Sequence, residues 1–391
     1  MTILCDDMLN IMLNFLPIST IYKFKLLNNQ LNDFINNQFI LFFYYCHKIN
    51  KNIIKKHSRY LQKIIVYANS NLTNNSYNTD HNLEDGDLVE LNKLEILVIP
   101  YGKYITDNGL KYIPSIIYLE LHNNNNITGE GLKYISNVRH LILPHCNSIV
   151  DNVLKYISDI QYLDLCANVH ITDNGLRYIP NIQHLNLHNN KNITDYGLKY
   201  IPNIQHLNLG DINNITDDGL KYIPNIQCLI FINNKKITDD GLKYVPNIQH
   251  LELYCNKNIT DEGLKYIPNI KHLNLYKFTS ITNRGLEYTP NVKHLNLRIN
   301  TDITDEGLKC IPNVQYLDLH WNKNITDEGL KHTPHIQHLD LHFNTNITNE
   351  GLKYVPNVKY LDLHSNTNIT SDGLKYITNA EHISLYYKKI L

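Results

Sequence analysis

The chain has 391 residues, with 36 Lys and Arg against 37 Asp and Glu, a formal net charge of -1. So even a balance excludes a chain whose overall field draws it to nucleic acid or to an anionic membrane. The seven Cys make no Cys-x-x-Cys pair, no run approaches the ~18 apolar residues of a membrane helix, and Asp6 and Asp7 spoil any signal peptide. Free thiols in a reducing compartment, cytoplasmic or nuclear, are therefore expected.

Residues 1–46 carry no long-range period. Met8, Leu9, Met12, Leu13, Phe15 and Leu16 recur at helical spacing, and Pro17 ends the stripe. Ser19 or Thr20 can cap a second helix holding Ile21, Phe24 and Leu27, and Leu31, Phe34, Ile35 and Phe39 make a third stripe. Three short helices form a small core with apolar side chains to spare, which suits a binding face. The plainer alternative is an N-terminal cap for the periodic array that begins at residue 83. Residues 47–82 join the two parts. They read as a basic helix over Lys51 to Gln62, an irregular strand at Leu61, Ile64 and Val66, and a polar loop over 69–82.

From 83 to 391 the chain is periodic, and an Ile opens each unit at 105, 127, 149 and every 22 residues thereafter to 369. In Gln183-His184-Leu185-Asn186-Leu187-His188 apolar and polar residues alternate, the mark of a strand buried on one face. Leu-x-Leu strands at a fixed period in the twenties predict an α/β leucine-rich-repeat solenoid, with a parallel sheet on the concave face and short helices on the convex face. Strand centres from Leu97 to Ile383 give 14 regular strands. An Asn follows most strands, at 124, 168, 190, 234, 256, 300, 322, 344 and 366, and a buried ladder of these side chains is expected. Thr or Asp caps a helix of roughly two turns that Pro202 and its equivalents stop. Asp261 and Lys265 are placed to pair along that helix. Repeat 281–290 reverses the charges with Asn283, Arg284 and Glu287. The Asn-Ile-Thr sequons, as at Asn192, Asn258 and Asn346, are read as turn and cap chemistry.

Leu4-x-x-Asp7-Met8-Leu9-x-x-Met12-Leu13-x-Phe15-Leu16-Pro17, followed by Ile21, Phe24, Leu27, Leu31 and Phe34, resembles an F-box. Leu4 is followed by Cys5, where the family has Pro, and Leu31 stands where the family has an aromatic residue. Ile-Thr-Asp-x-Gly-Leu before a Leu-x-Leu strand is similar to the repeats of F-box/leucine-rich-repeat proteins, though those usually run a few residues longer and end the turn in Cys. The resemblance implies that Leu4, Met8, Leu9, Met12, Leu13, Phe15, Leu16, Pro17, Ile21, Phe24 and Leu27 dock on the Skp adaptor of a cullin-RING ubiquitin ligase. The concave repeat face would then hold a protein substrate. The alternative is a stand-alone leucine-rich-repeat binding or inhibitory scaffold whose N-terminal helices only cap the array.

No Gly-rich phosphate loop, nucleophile elbow or His-Glu-x-x-His occurs, so neither catalysis nor a cofactor is expected, despite Cys166 and Cys228 on the concave face. A metal reading is open at His338, Asp340 and His342, with His320 and His364 on adjacent strands. It is set against copied His columns that merely face solvent, and no metal site is assigned. The Lys column at 199, 221, 243 and 265 reads as a solvated helix face rather than a nucleic-acid stripe, since neighbouring acids balance it. Two residues past the second strand Leu most repeats carry small, polar or charged residues, but three successive repeats carry Ile299, Trp321 and Phe343. With Tyr254, Tyr276, Arg298, His320 and His342 beside them, these predict a substrate-binding patch at the rim of the sheet. The alternative is that they fold back over the Asn ladder.

Overall fold

The computed structural model describes residues 40–43, 55, 61–66, 83–99, 102–122, 124–210, 214–277 and 280–384. The expected adaptor-docking residues between Leu4 and Leu27 lie outside these. Two compact units divide the chain, 1–148 and 149–391. In the first, β1 (Ile40–Phe43), β2 (Lys63–Val66), β3 (Ile96–Ile99), β4 (Tyr118–Leu121) and β5 (His140–Ile142) pair in parallel, in chain order. β1 falls inside the stretch expected to be helical.

The second unit holds a parallel sheet of 11 strands. These are β6 (Tyr162–Asp164), β7 (His184–Asn186), β8 (His206–Gly210), β9 (Cys228–Ile232), β10 (His250–Tyr254), β11 (His272–Asn274), β12 (His294–Asn296), β13 (Tyr316–Asp318), β14 (His338–Asp340), β15 (Tyr360–Asp362) and β16 (His382–Ser384). Register follows the sequence period, so that His250 pairs with His272 and Leu251 with Leu273. With β3, β4 and β5 this makes the 14 regular strands expected. One repeat shows why the pattern folds. Leu185, Leu187, Ile193, Leu198, Ile201 and Ile204 are all at most 3% exposed, so every apolar repeat position feeds the core.

The helices are shorter than expected. Asp195–Leu198 is a single turn, because Ile201 must turn back into the core and Pro202 follows with no N–H to donate. So short a helix gains little from its own hydrogen bonds. Its stability comes from three side-chain ladders that tie each repeat to the one before.

The first is the Asn ladder. Asn190 Nδ2 donates to the carbonyls of Asn168 (2.9 Å) and Ile171 (2.8 Å), while Oδ1 accepts from the Asn192 N–H. Asn124, Asn168, Asn190, Asn234, Asn256, Asn300, Asn322 and Asn344 are at most 1% exposed, as expected of amides that satisfy backbone groups in a dry turn. Cys146 holds the same place in its repeat, its thiol donating to the Ile127 carbonyl at 3.5 Å.

The second ladder corrects the reading of Asp at the helix start. Thr194 caps its own helix by accepting from the Tyr196 N–H, and it donates its N–H and Oγ1 to Asp173 of the preceding repeat at 2.8 and 2.6 Å. Asp261 likewise accepts from Thr282, so it does not pair with Lys265. Lys265 bonds Glu262, one residue further along the helix. The Gly of Thr-Asp-x-Gly is there for this contact. A Cβ on Gly197 would lie 2.3 Å from Asp173 Oδ1. Lys221, Lys243 and Lys265 each pair with the acid three residues back, and Lys199, which has none, sits over the Tyr196 ring at 3.3 Å. The reversed charges at 281–290 also find a partner, since Arg284 meets Glu262 of the preceding repeat at 2.9 Å. Such exposed pairs add little stability individually.

The third ladder uses the sequon Asn. Asn258 Nδ2 donates to the Lys235 carbonyl at 2.7 Å, and Asn192 and Asn346 do the same with Val169 and Lys323. These amide nitrogens are engaged in repeat stacking, which fits the turn-chemistry reading. Among the described residues no helix is long and apolar enough to cross a membrane.

Candidate functional site

Three polar columns and one turn column line the strand face of the second unit. The first polar column is aromatic and stacked. His250, His272, His294, Tyr316, His338, Tyr360 and His382 follow one another with ring centroids 3.9–6.4 Å apart. The His copies therefore pack on one another rather than merely facing water. Burial, then His294, His250 and Lys271, lower His272 to about 4. The Cys228 thiol and then Glu252 raise His250 to about 9.

The middle column turns acidic near the end of the sheet, with Asp318, Asp340 and Asp362 on three successive strands in register. Asp318 is 7% exposed, and burial raises its pKa to about 6, with Asp340 adding to the rise. Burial also raises Asp340. Arg298 lies close enough to oppose both rises.

The third column contains most of the expected substrate-binding residues. The Tyr254 and Tyr276 rings are 4.8 Å apart, and the Arg298 guanidinium sits 5.3 Å from the Tyr276 ring. His320 and His342 follow with centroids 4.2 Å apart. His320, 8% exposed, is lowered to about 4 by burial, then by Arg298 and His342.

The turn column is the one that carries Ile299, Trp321 and Phe343. Its residues have positive φ in repeat after repeat, from 51° at Phe343 to 68° at Lys277. The N–H groups of Ala167, Asn233, Lys277, Ile299, Trp321 and Phe343 donate to the carbonyl beside the matching residue of the next repeat. Gly210, one place before this column, also has positive φ (52°), with a register shift between Asn208 and Gly210. Trp321 and Phe343 contact each other at 4.7 Å and remain 46% and 41% exposed. Phe343 also stacks on His342 at 4.7 Å. Ile299 is half-buried.

A family model described as "Leucine Rich repeat" matches residues 178–201, 200–223, 246–267, 289–311, 312–331, 332–355 and 356–377. The fold is a leucine-rich-repeat solenoid. Three solved structures resemble it. A chain of the yeast Rad7–Elc1 complex is 18% identical over 74% of this chain and 81% of its own, with a TM-score of 0.53. A leucine-rich-repeat protein of Leptospira interrogans is 18% identical over 91% and 92%, with a TM-score of 0.52. A chain of the TLR13–ssRNA13 complex is 15% identical over 87% and 61%, with a TM-score of 0.51. No curated protein matches by sequence.

The solenoid thus brings Tyr254, Tyr276 and Arg298 into one ribbon, and His320, Trp321, His342 and Phe343 into one aromatic cluster. The Asp column was not singled out from the sequence, although three successive Asp at a 22-residue step could have revealed it. The ring stacking was missed because the Tyr members of the first column were not counted with its His. Cys166 is no activated thiol, since burial and Asp164 both raise it.

These shifts set a pH dependence. His272 and His320 bind protons less readily folded than unfolded, so they contribute stability that is present above about 6.5 and lost as pH falls towards 4. Asp318 works in the opposite sense, its contribution being present at low pH and lost as pH rises through about 6. Thermal midpoints of His272→Gln are expected to fall less steeply than those of the native chain between pH 6.5 and 4, and those of Asp318→Asn more steeply. Identical slopes in all three proteins would refute these assignments.

Proposed function

We propose that the chain is a non-catalytic substrate-recognition adaptor of a Skp–cullin–F-box type ubiquitin ligase, with residues 4–27 docking the adaptor subunit and the strand face holding a protein. The carrying observation is the exposed Trp321–Phe343 pair beside the Tyr254–Tyr276–Arg298 ribbon. Aromatic residues and Arg anchor protein interfaces, and clustered exposed rings are costly unless something covers them. The acidic middle column disfavours a nucleic-acid ligand. In this role the protein contributes proximity, raising the effective concentration of substrate at the ligase. The F-box resemblance of residues 4–34 supports the ligase half of the reading.

One observation favours a stand-alone binding scaffold instead. β1 pairs with β2, so chain from the N-terminal stretch is joined to the sheet, as a cap would be. Leu9→Asp with Phe15→Asp separates the two readings. Co-purification of Skp and cullin subunits is expected with the native chain and absent from the double variant, because the new carboxylates would be buried without partners. Recovery of the adaptor by the double variant, with repeat circular dichroism unchanged, would exclude docking through these residues.

A further inference from the structure

We propose that His342, Asp362 and His364 form a binding site for a divalent zinc-type metal ion on the strand face. Their candidate ligand atoms all lie within 4.8 Å of one another. The repeat geometry produces the arrangement. Asp362 and His364 are two residues apart on one extended segment and so share a face, and His342 occupies the place of His364 one repeat earlier. In a tetrahedral zinc site with bonds of about 2.0–2.2 Å, ligand atoms lie roughly 3.3 Å apart. Closing to that spacing takes side-chain rotation, for which the half-buried imidazoles are not locked in the core.

The donor set decides the class of ion. Two imidazole nitrogens and one carboxylate suit zinc, whereas calcium and magnesium take oxygen ligands. Asp318, Asp340 and Asp362 on successive strands favour a cation, and the opposing Arg298 guanidinium acts from the Asp318 end of that column. His364 Nδ1 already bonds Asp362 Oδ1 at 2.6 Å, so a metal ion would replace a shared proton there. One repeat earlier the same residue types recur as His320, Asp340 and His342. There His320 is buried against His342, and among the described residues that set does not come within ligand distance. Three protein ligands leave a fourth position for water or for a donor from a bound protein.

The test uses the purified full chain, stripped of metal and titrated with Zn2+ by calorimetry at neutral pH, with Co2+ as an optical probe. A saturable site with the visible absorption of four-coordinate Co2+ is expected. His364→Gln and Asp362→Asn should each weaken Zn2+ binding at least ten-fold with native circular dichroism. His382→Gln, which alters a strand-face imidazole outside the triad, should leave binding unchanged. Absence of a saturable site would overturn the proposal. So would binding that survives both triad variants, or that falls equally in His382→Gln, since either result assigns the metal to the other imidazoles of the face.

Discussion

Leu207→Ala is expected to destabilise the second unit by about 2–5 kcal/mol, as large-to-small core substitutions do. Leu207 is 1% exposed and stands in register between Leu185 and Leu229 on the neighbouring strands. The cavity would open between three repeats, and a solenoid offers no distant side chains to fill it. Each repeat leans only on its neighbours, so the loss of protection should be graded. Amide exchange should quicken most in β7, β8 and β9 and least in β15 and β16. A uniform rise in exchange across the unit would show that the repeats unfold as one body, against nearest-neighbour stacking.

Trp321→Asn with Phe343→Asn is expected to weaken partner binding by at least ~2 kcal/mol while leaving the thermal midpoint unchanged or higher. The backbone explains the second half. Trp321 and Phe343 have φ of 56° and 51°, and the β-branched Ile299 has 54°. This region suits Gly and Asn and is unfavourable for bulky side chains. Two repeats follow the preference with Asn189 and Asn233, while His145, Ala167, Cys255, Lys277 and Ser365 in the same column are smaller or polar without satisfying it. Three successive repeats instead place large apolar side chains there, at a backbone cost that rings left more than 40% exposed offset only in part. Strain of this kind is found where binding needs it. Removing the rings should therefore relieve the backbone and cost only the interface. The rings touch, so the two single variants should be non-additive. A variant that binds every partner normally, or one that melts lower than the native chain, would give the rings a structural role instead.

The period made the sheet and its core legible, because a 22-residue step with Leu-x-Leu fixes both strand register and the buried face. The Asn ladder was legible for the same reason, since a polar residue at an invariant place in an apolar turn must satisfy backbone groups. Rules for a single helix misled where the partner sits one repeat away. Asp261 looked like a helix-pairing acid for Lys265, yet it serves Thr282, 21 residues on. Helix length was overestimated because the Leu-Lys-Tyr-Ile run carries no breaker before Pro202, while Ile201 is pulled into the core. The left-handed turn column was hidden by its contents. Ile299, Trp321 and Phe343 are not residues that signal positive φ, although Asn189 and Asn233 at the same repeat position are. Particular contacts, such as Phe343 on His342 between columns and Arg298 on Tyr276 within one, depend on rotamers that no period specifies.

Affinity purification of the full chain followed by mass spectrometry, repeated with the two double variants, tests the adaptor reading most directly. Leu9→Asp with Phe15→Asp should lose Skp and cullin subunits and keep other strand-face partners. Trp321→Asn with Phe343→Asn should keep Skp and cullin and lose at least one other protein. Loss of the same proteins in both variants, or failure of the native chain to recover Skp and cullin at all, would contradict a bipartite adaptor.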